Sequence, residues 1–135
     1  MVDKGPALDE NLVFDFVHKS HFNLEVIQGL LKEEPALISA SWDWGGGDVE
    51  TGIEAASHVG RRDIALFLIS RGARPNLFTA AMLGHLEIVK NFLTLHPELK
   101  RCAGPHGLSL IHHAEKGGAD ASGVLEFLRS LEETD

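Results

Sequence analysis

The chain has 135 residues, of which 44% are hydrophobic and 24% are charged, a composition typical of one folded domain. Its formal net charge of −8 at pH 7 disfavours unselective binding to the phosphate backbone of nucleic acids. Its apolar runs are far shorter than the roughly 18 residues that a membrane span needs, and no secretory signal is evident, so we expect no membrane partner. Cys102 is the single cysteine, which excludes an internal disulfide and predicts a reducing, cytoplasmic location.

The N-terminal part of the chain predicts two helices. Asp9 is a suitable N-cap for the first, whose apolar residues leave no evident polar face: Leu12, Val13, Phe14, Phe16 and Val17. The second helix begins at Leu24 and ends before Pro35. The apolar helix is either buried within the chain or joins two copies, so we expect a monomer or a weak homodimer.

The segment from Ser41 to Glu50 combines two tryptophans, Trp42 and Trp44, with three consecutive glycines. The glycines give the segment turn freedom, but no Gly-Lys-Ser/Thr follows, so it does not resemble a phosphate-binding loop. The tryptophans provide more apolar surface than a solvated loop requires. Two interpretations stay open: the rings contact a partner, or they fold back onto the helices.

Residues 51 to 99 contain two consecutive copies of one helix-turn-helix sequence pattern. The first copy runs from Thr51 to Asn76 and closes with Gly72-Ala73-Arg74-Pro75-Asn76, and the second contains Gly84-His85-Leu86-Glu87-Ile88-Val89. Gly60 and Gly84 are each placed to end the first helix of a copy in the left-handed conformation. Apolar residues at i, i+3 and i+4 spacing follow each glycine and predict the second helix.

These motifs resemble the ankyrin repeat, whose pattern is T-P-L-H-x-A-A-x-x-G-H, then x-E-I-V-x-x-L-L, then G-A-x-P-N. The stretch Ser109-Leu110-Ile111-His112-His113-Ala114 matches the start of that pattern again. The resemblance implies an all-α fold, an ankyrin-type solenoid of about four stacked helix-turn-helix repeats in a single domain over 1–135. The repeats are expected at 9–40, 41–76, 77–103 and 104–135.

The spacing of the glycines is irregular between the second and third repeats. Gly84 follows Gly60 by 24 residues, whereas Gly118 follows Gly84 by 34, close to the family's period of about 33. About nine residues, the length of one connecting finger, are therefore missing there. Pro75-Asn76 should turn directly into the next helix and leave a notch near Asn76.

The sequence contains few groups that could carry chemistry. His106, His112 and His113, with Asp120, could form a metal-dependent or hydrolytic site, which is the alternative function. The resemblance instead implies that His112 bonds backbone groups of a neighbouring finger. The preferred hypothesis therefore includes no catalytic residue, metal or cofactor.

The resemblance implies a non-catalytic module that binds a protein or peptide partner. The expected contact surface consists of finger residues and of residues near the ends of the inner helices, whose identity stacking does not fix: Trp42, Trp44, Asp48, Glu50, His58, Val59, Met82, Leu83, His106, Leu108 and Lys116. Aromatic and Met side chains are typical of binding hot spots. The acidic residues in this set predict a partner with a basic rim.

Overall fold

The structure, a computed structural model, describes residues 2–132. Within this range the chain is mostly helical and has one small antiparallel sheet. The helices are α1 (Glu10–Lys19), α2 (Leu24–Glu33), α3 (Gly52–Val59), α4 (Arg62–Ser70), α5 (Leu77–Leu83), α6 (Leu86–Leu95), α7 (Leu110–Lys116) and α8 (Ser122–Glu132). Each of the four segments expected from the sequence contains two of these helices, although Met1 and residues 133–135 lie outside the described residues.

The segment before α3 is a β-hairpin. Strand β1 (Ser41–Asp43) pairs with β2 (Val49–Thr51), and Trp42 lies opposite Glu50. All three glycines between the strands have positive φ, which glycine adopts without a Cβ clash. Trp42 is half-buried and packs against the N-terminal core, whereas Trp44 is 37% exposed.

Within the repeated pattern, α3 and α5 begin at capping side chains and end at the predicted glycines. Thr51 caps α3 and Asn76 caps α5, each by accepting a hydrogen bond from the backbone three residues on. Gly60 and Gly84 end these helices in the left-handed conformation, with φ of 78° and 82°. The prediction that Asn76 leads directly into the next helix, without an intervening hairpin, is confirmed.

Three short helices, α3, α5 and α7, lie in mutual contact at the centre of the molecule. In a linear stack of repeats each unit touches only its neighbours, so α3 and α7, two units apart, would not meet. The absence of a hairpin before α5 lets the segment before α7 come directly beside the β1–β2 hairpin. A Cβ on Gly60 would lie 2.4 Å from the carbonyl oxygen of Lys116, which shows how closely α3 approaches the end of α7.

Helix α1 buries one side against the rest of the chain. Val13, Phe16 and Val17 are buried in the N-terminal core, whereas Phe14 is 37% exposed beside the tryptophans of the hairpin. No helix in the range 2–132 combines the length and the apolar character needed to cross a membrane.

Candidate functional site

Four side chains from distant parts of the sequence meet beside the hairpin. They come from the turn after α1, from β2, from α3 and from the turn before α7: His21, Glu50, His58 and His106. One possible ligand atom of each lies within 4.8 Å of those of the other three. We call this group the histidine–glutamate cluster. Because imidazole nitrogens and carboxylate oxygens both ligate divalent transition metals, these residues could hold a metal ion.

The carboxylate of Glu50 is fully buried within the cluster. Its Oε1 accepts a hydrogen bond of 2.9 Å from the indole Nε1–H of Trp44 and lies 3.3 Å from His21 Nε2. Its Oε2 lies 3.0 Å from His58 Nε2 and 3.2 Å from His106 Nε2. Neither contact has the orientation of a hydrogen bond, so Oε2 is buried without a hydrogen-bond partner.

Two of the imidazoles are held through the nitrogen that faces away from Glu50. His21 Nδ1 lies 2.9 Å from the carbonyl oxygen of His18 and 3.1 Å from that of Val17. His106 Nδ1 lies 2.7 Å from Asp48 Oδ2. These oxygens only accept hydrogen bonds, so Nδ1 carries the hydrogen and Nε2 of the neutral ring is left with a lone pair facing the cluster.

The cluster keeps its central carboxylate charged. Burial raises the pKa of Glu50, but the imidazoles of His21 and His58 outweigh burial and lower that pKa to about 2. Burial conversely lowers the pKa of His21, but Glu50 and the carbonyl oxygens of His18 and Val17 together outweigh burial and raise that pKa. The backbone N–H and imidazole of His106 lower the pKa of Asp48. Glu50 is therefore an anion at neutral pH.

Five residues of the predicted contact surface thus face one another: Trp44, Asp48, Glu50, His58 and His106. Val59 and Leu108 are half-buried and Lys116 is exposed, and none of the three belongs to the cluster.

The expected exposure of Met82 and Leu83 is wrong. Their side chains are only 1% and 3% exposed and belong to the N-terminal core. The reason is that α5 lies between α3 and α7, so the end of this helix is enclosed on both sides.

The alternative set of His106, His112 and His113 does not assemble. His112 Nε2 donates to the carbonyl oxygen of His58 at the end of α3, rather than to a finger. His113 is buried and donates through Nδ1 to the carbonyl oxygen of Ser109. Asp120 is exposed near Arg62.

A second feature is an apolar cavity of about 210 Å³ beside Asn76. We call it the notch, and its apolar lining consists of Ile69, Pro75, Leu77, Ala80, Leu83, Ile88 and Phe92. Ile88 and Phe92 are 46% and 47% exposed and lie four residues apart on α6, so they share one face of that helix. The notch lies where the sequence predicts one, between the second and third helix pairs.

Sequence reasoning missed His21 and the convergence of the cluster. His21 lies in a turn without any motif, and 85 residues separate it from His106. The single feature of the sequence that points to a histidine cluster is the number of histidines, eight in the whole chain. Comparison with models of protein families finds no match, and comparison with curated proteins finds no similar sequence.

Proposed function

We propose that this chain is a shortened ankyrin-type repeat protein that binds a protein partner and has no catalytic activity of its own. Two features support the repeat assignment: the equivalent caps of α3 and α5, and the left-handed glycine that ends each of these helices. Arg61 N–H and His85 N–H also donate to equivalent carbonyl oxygens, those of Ala56 and Ala80. The lone thiol of Cys102 favours a cytoplasmic location.

The observation that carries the proposed binding role is the notch. Its volume of about 210 Å³ is below the range of about 300–1,000 Å³ that is typical of small-molecule sites. It suits one large apolar side chain of a partner. Ile88 and Phe92 are exposed at its edge and would be covered by the inserted group.

The charges around the notch define the partner further. Asp48 is bonded to His106, Glu50 is buried, and neither lines the notch, so these carboxylates would not contact a segment bound there. Arg71 and Arg74 do not line the notch but are exposed on the segment that contributes Pro75 to its wall. The carboxylate of Glu54 is half-buried and already accepts a hydrogen bond from Asn76. We therefore propose that the partner is a peptide segment with one large apolar residue flanked by acidic residues.

Selection from a displayed random peptide library tests this proposal. Peptides enriched on the wild-type protein should share an apolar residue next to Asp or Glu. Phe92→Asp should weaken their binding about 30-fold or more, as expected for a hot-spot contact. Leu95→Asp is the matched control, because Leu95 is 74% exposed on the same helix but does not line the notch. Equal binding to wild type and Phe92→Asp, or no enriched motif, would place partner binding elsewhere.

A further inference from the structure

We propose that one divalent ion of the first transition series, most favourably Zn²⁺, binds at the centre of the histidine–glutamate cluster. The ligands would be three imidazole Nε2 atoms and one carboxylate oxygen, from His21, His58, His106 and Glu50. This site is distinct from the notch, so the inference does not depend on the proposed partner binding.

One oxygen of the Glu50 carboxylate has no hydrogen-bond partner. Glu50 Oε2 is buried, charged and without a hydrogen-bond donor, although His58 Nε2 and His106 Nε2 are within 3.2 Å of it. An unsatisfied buried polar atom costs about 1–3 kcal/mol, and more when it is charged. A cation bound between the three atoms would satisfy this oxygen and the lone pair of His106 Nε2 at once, and His58 would join them after losing the hydrogen on its Nε2.

Several ligand atoms of the cluster are already spaced nearly as they would be around a tetrahedral ion. Zn²⁺ bonds nitrogen and oxygen at about 2.0–2.1 Å in a tetrahedron, which places neighbouring ligand atoms about 3.3 Å apart. In the cluster the two shortest separations from Glu50 Oε2 are 3.0 Å, to His58, and 3.2 Å, to His106. His21 Nε2 and His58 Nε2 are 3.1 Å apart and share a hydrogen bond, which the ion would replace. No pair exceeds 4.8 Å, so the widest must close by at most about 1.5 Å on binding.

Three of the four ligand side chains are held by hydrogen bonds to groups outside the cluster centre. A histidine that binds a metal usually donates its other ring N–H to a backbone carbonyl or a carboxylate, which fixes the ring and its tautomer. His21 has such a partner in the carbonyl oxygen of His18, and His106 has one in Asp48. Trp44 supports Glu50 in the same way through its indole N–H.

The type of ion follows from the ligands. Three imidazoles and one carboxylate suit borderline ions such as Zn²⁺ and Co²⁺, whereas Ca²⁺ and Mg²⁺ prefer oxygen ligands. Four protein ligands fill a tetrahedral site and leave no open position, as in structural zinc sites. The ion would join α1, the hairpin and α3 to the turn that carries His106.

Titration with Co²⁺ tests the site directly. Untagged protein, dialysed against a chelator and then against metal-free buffer, should bind one Co²⁺ and develop the visible absorption of tetrahedral Co²⁺. One equivalent of Zn²⁺ should abolish that absorption, whereas excess Mg²⁺ or Ca²⁺ should not. The fluorescence of Trp44, isolated with Trp42→Phe, should be quenched by Co²⁺ because its ring centroid is 6.2 Å from that of His21 and 6.0 Å from that of His106.

Variants decide whether the bound ion is at the cluster. Glu50→Gln and His106→Ala should each weaken Zn²⁺ binding by at least about 100-fold, since even outer residues of metal sites contribute about 10–100-fold. His96→Ala is the matched control, because His96 is exposed and lies outside the cluster. Circular dichroism checks that each variant is folded, and Zn²⁺ should raise the melting temperature of the wild type and the control only.

Absence of Co²⁺ and Zn²⁺ binding at submillimolar metal overturns the proposal and leaves an ion-paired cluster. Stoichiometric binding that survives both Glu50→Gln and His106→Ala overturns it equally.

Discussion

Asp48 holds His106 through two hydrogen bonds. The backbone N–H of His106 donates to Oδ1 at 2.8 Å and its ring Nδ1 donates to Oδ2 at 2.7 Å. His106 has a φ of 63°, a left-handed conformation that non-glycine residues seldom adopt. The carboxylate of the hairpin therefore fixes both the backbone and the ring of a residue that lies 58 positions later in the chain.

Asp48→Ala should release the turn that carries His106 while the helices stay folded. The reason is that both hydrogen bonds to His106 are lost and its left-handed backbone is no longer held. Amide hydrogen exchange should become faster at His106 and its neighbours. Asp43→Ala is the control, because Asp43 accepts hydrogen bonds from Gly45 and Gly47 within the hairpin only. Unchanged exchange at His106 in Asp48→Ala would mean that other contacts hold the turn.

Gly84→Ala should destabilise the protein more than Gly72→Ala. Both glycines have positive φ, 82° at Gly84 and 95° at Gly72, so each alanine pays about 1–2 kcal/mol for the left-handed conformation. A Cβ at Gly84 would also lie 2.0 Å from the carbonyl oxygen of Asp120, whereas a Cβ at Gly72 meets nothing within 4 Å. Urea denaturation of both variants measures the difference, and equal losses would show that the α5 end can shift at little cost.

Leu68→Ala and Leu93→Ala should each lower the free energy of unfolding by about 2–5 kcal/mol. Leu68 is fully buried in the N-terminal core and Leu93 is 5% exposed in the C-terminal core. Leu131 is half-buried in the last helix, so Leu131→Ala should cost clearly less. The three variants compared in urea test whether the interior helices dominate a total stability near 5–15 kcal/mol.

The contribution of His113 to stability should fall when the pH is lowered from about 6.5 to about 4, because His113 is buried in its neutral form. Burial lowers the pKa of His113 from 6.5 to about 4. Between these pH values the unfolded chain binds a proton that the folded chain does not. This protonation lowers the free energy of unfolding by about 3 kcal/mol at pH 4. Above pH 6.5 both states are neutral and the effect is absent.

A variant without a titrating group at this position isolates that contribution. His113→Gln retains a donor for the carbonyl oxygen of Ser109 but cannot bind the proton. The free energy of unfolding of the wild type, relative to the variant, should decline as the pH falls through this window. Parallel curves for the two proteins would exclude His113 as the source of acid sensitivity.

Local signals predicted the helix ends, because capping depends on a few adjacent residues. Gly60 and Gly84 each end a helix at the predicted position. The missing connection before α5 and the notch near Asn76 also follow from counting residues. These features required no knowledge of how the helix pairs pack.

The histidine–glutamate cluster depends on packing over long sequence distances, so the sequence did not reveal it. His106 is close in sequence to His112 and His113, but the turn at His106 directs its ring toward the hairpin instead. The burial of Met82 and Leu83 has the same origin, since it depends on where α5 sits between two other helices.

The contact between α3 and α7 has a consequence for how this protein could change during evolution. A repeat array usually lengthens by duplicating a unit, because each unit interacts only with those beside it. Here the carbonyl oxygen of His58 on α3 accepts a hydrogen bond from His112 on α7, and the hairpin bonds to the turn at His106. An added unit between the second and fourth helix pairs would separate these groups. A duplication at this place would therefore separate Glu50 and His58 from His106 and break the cluster.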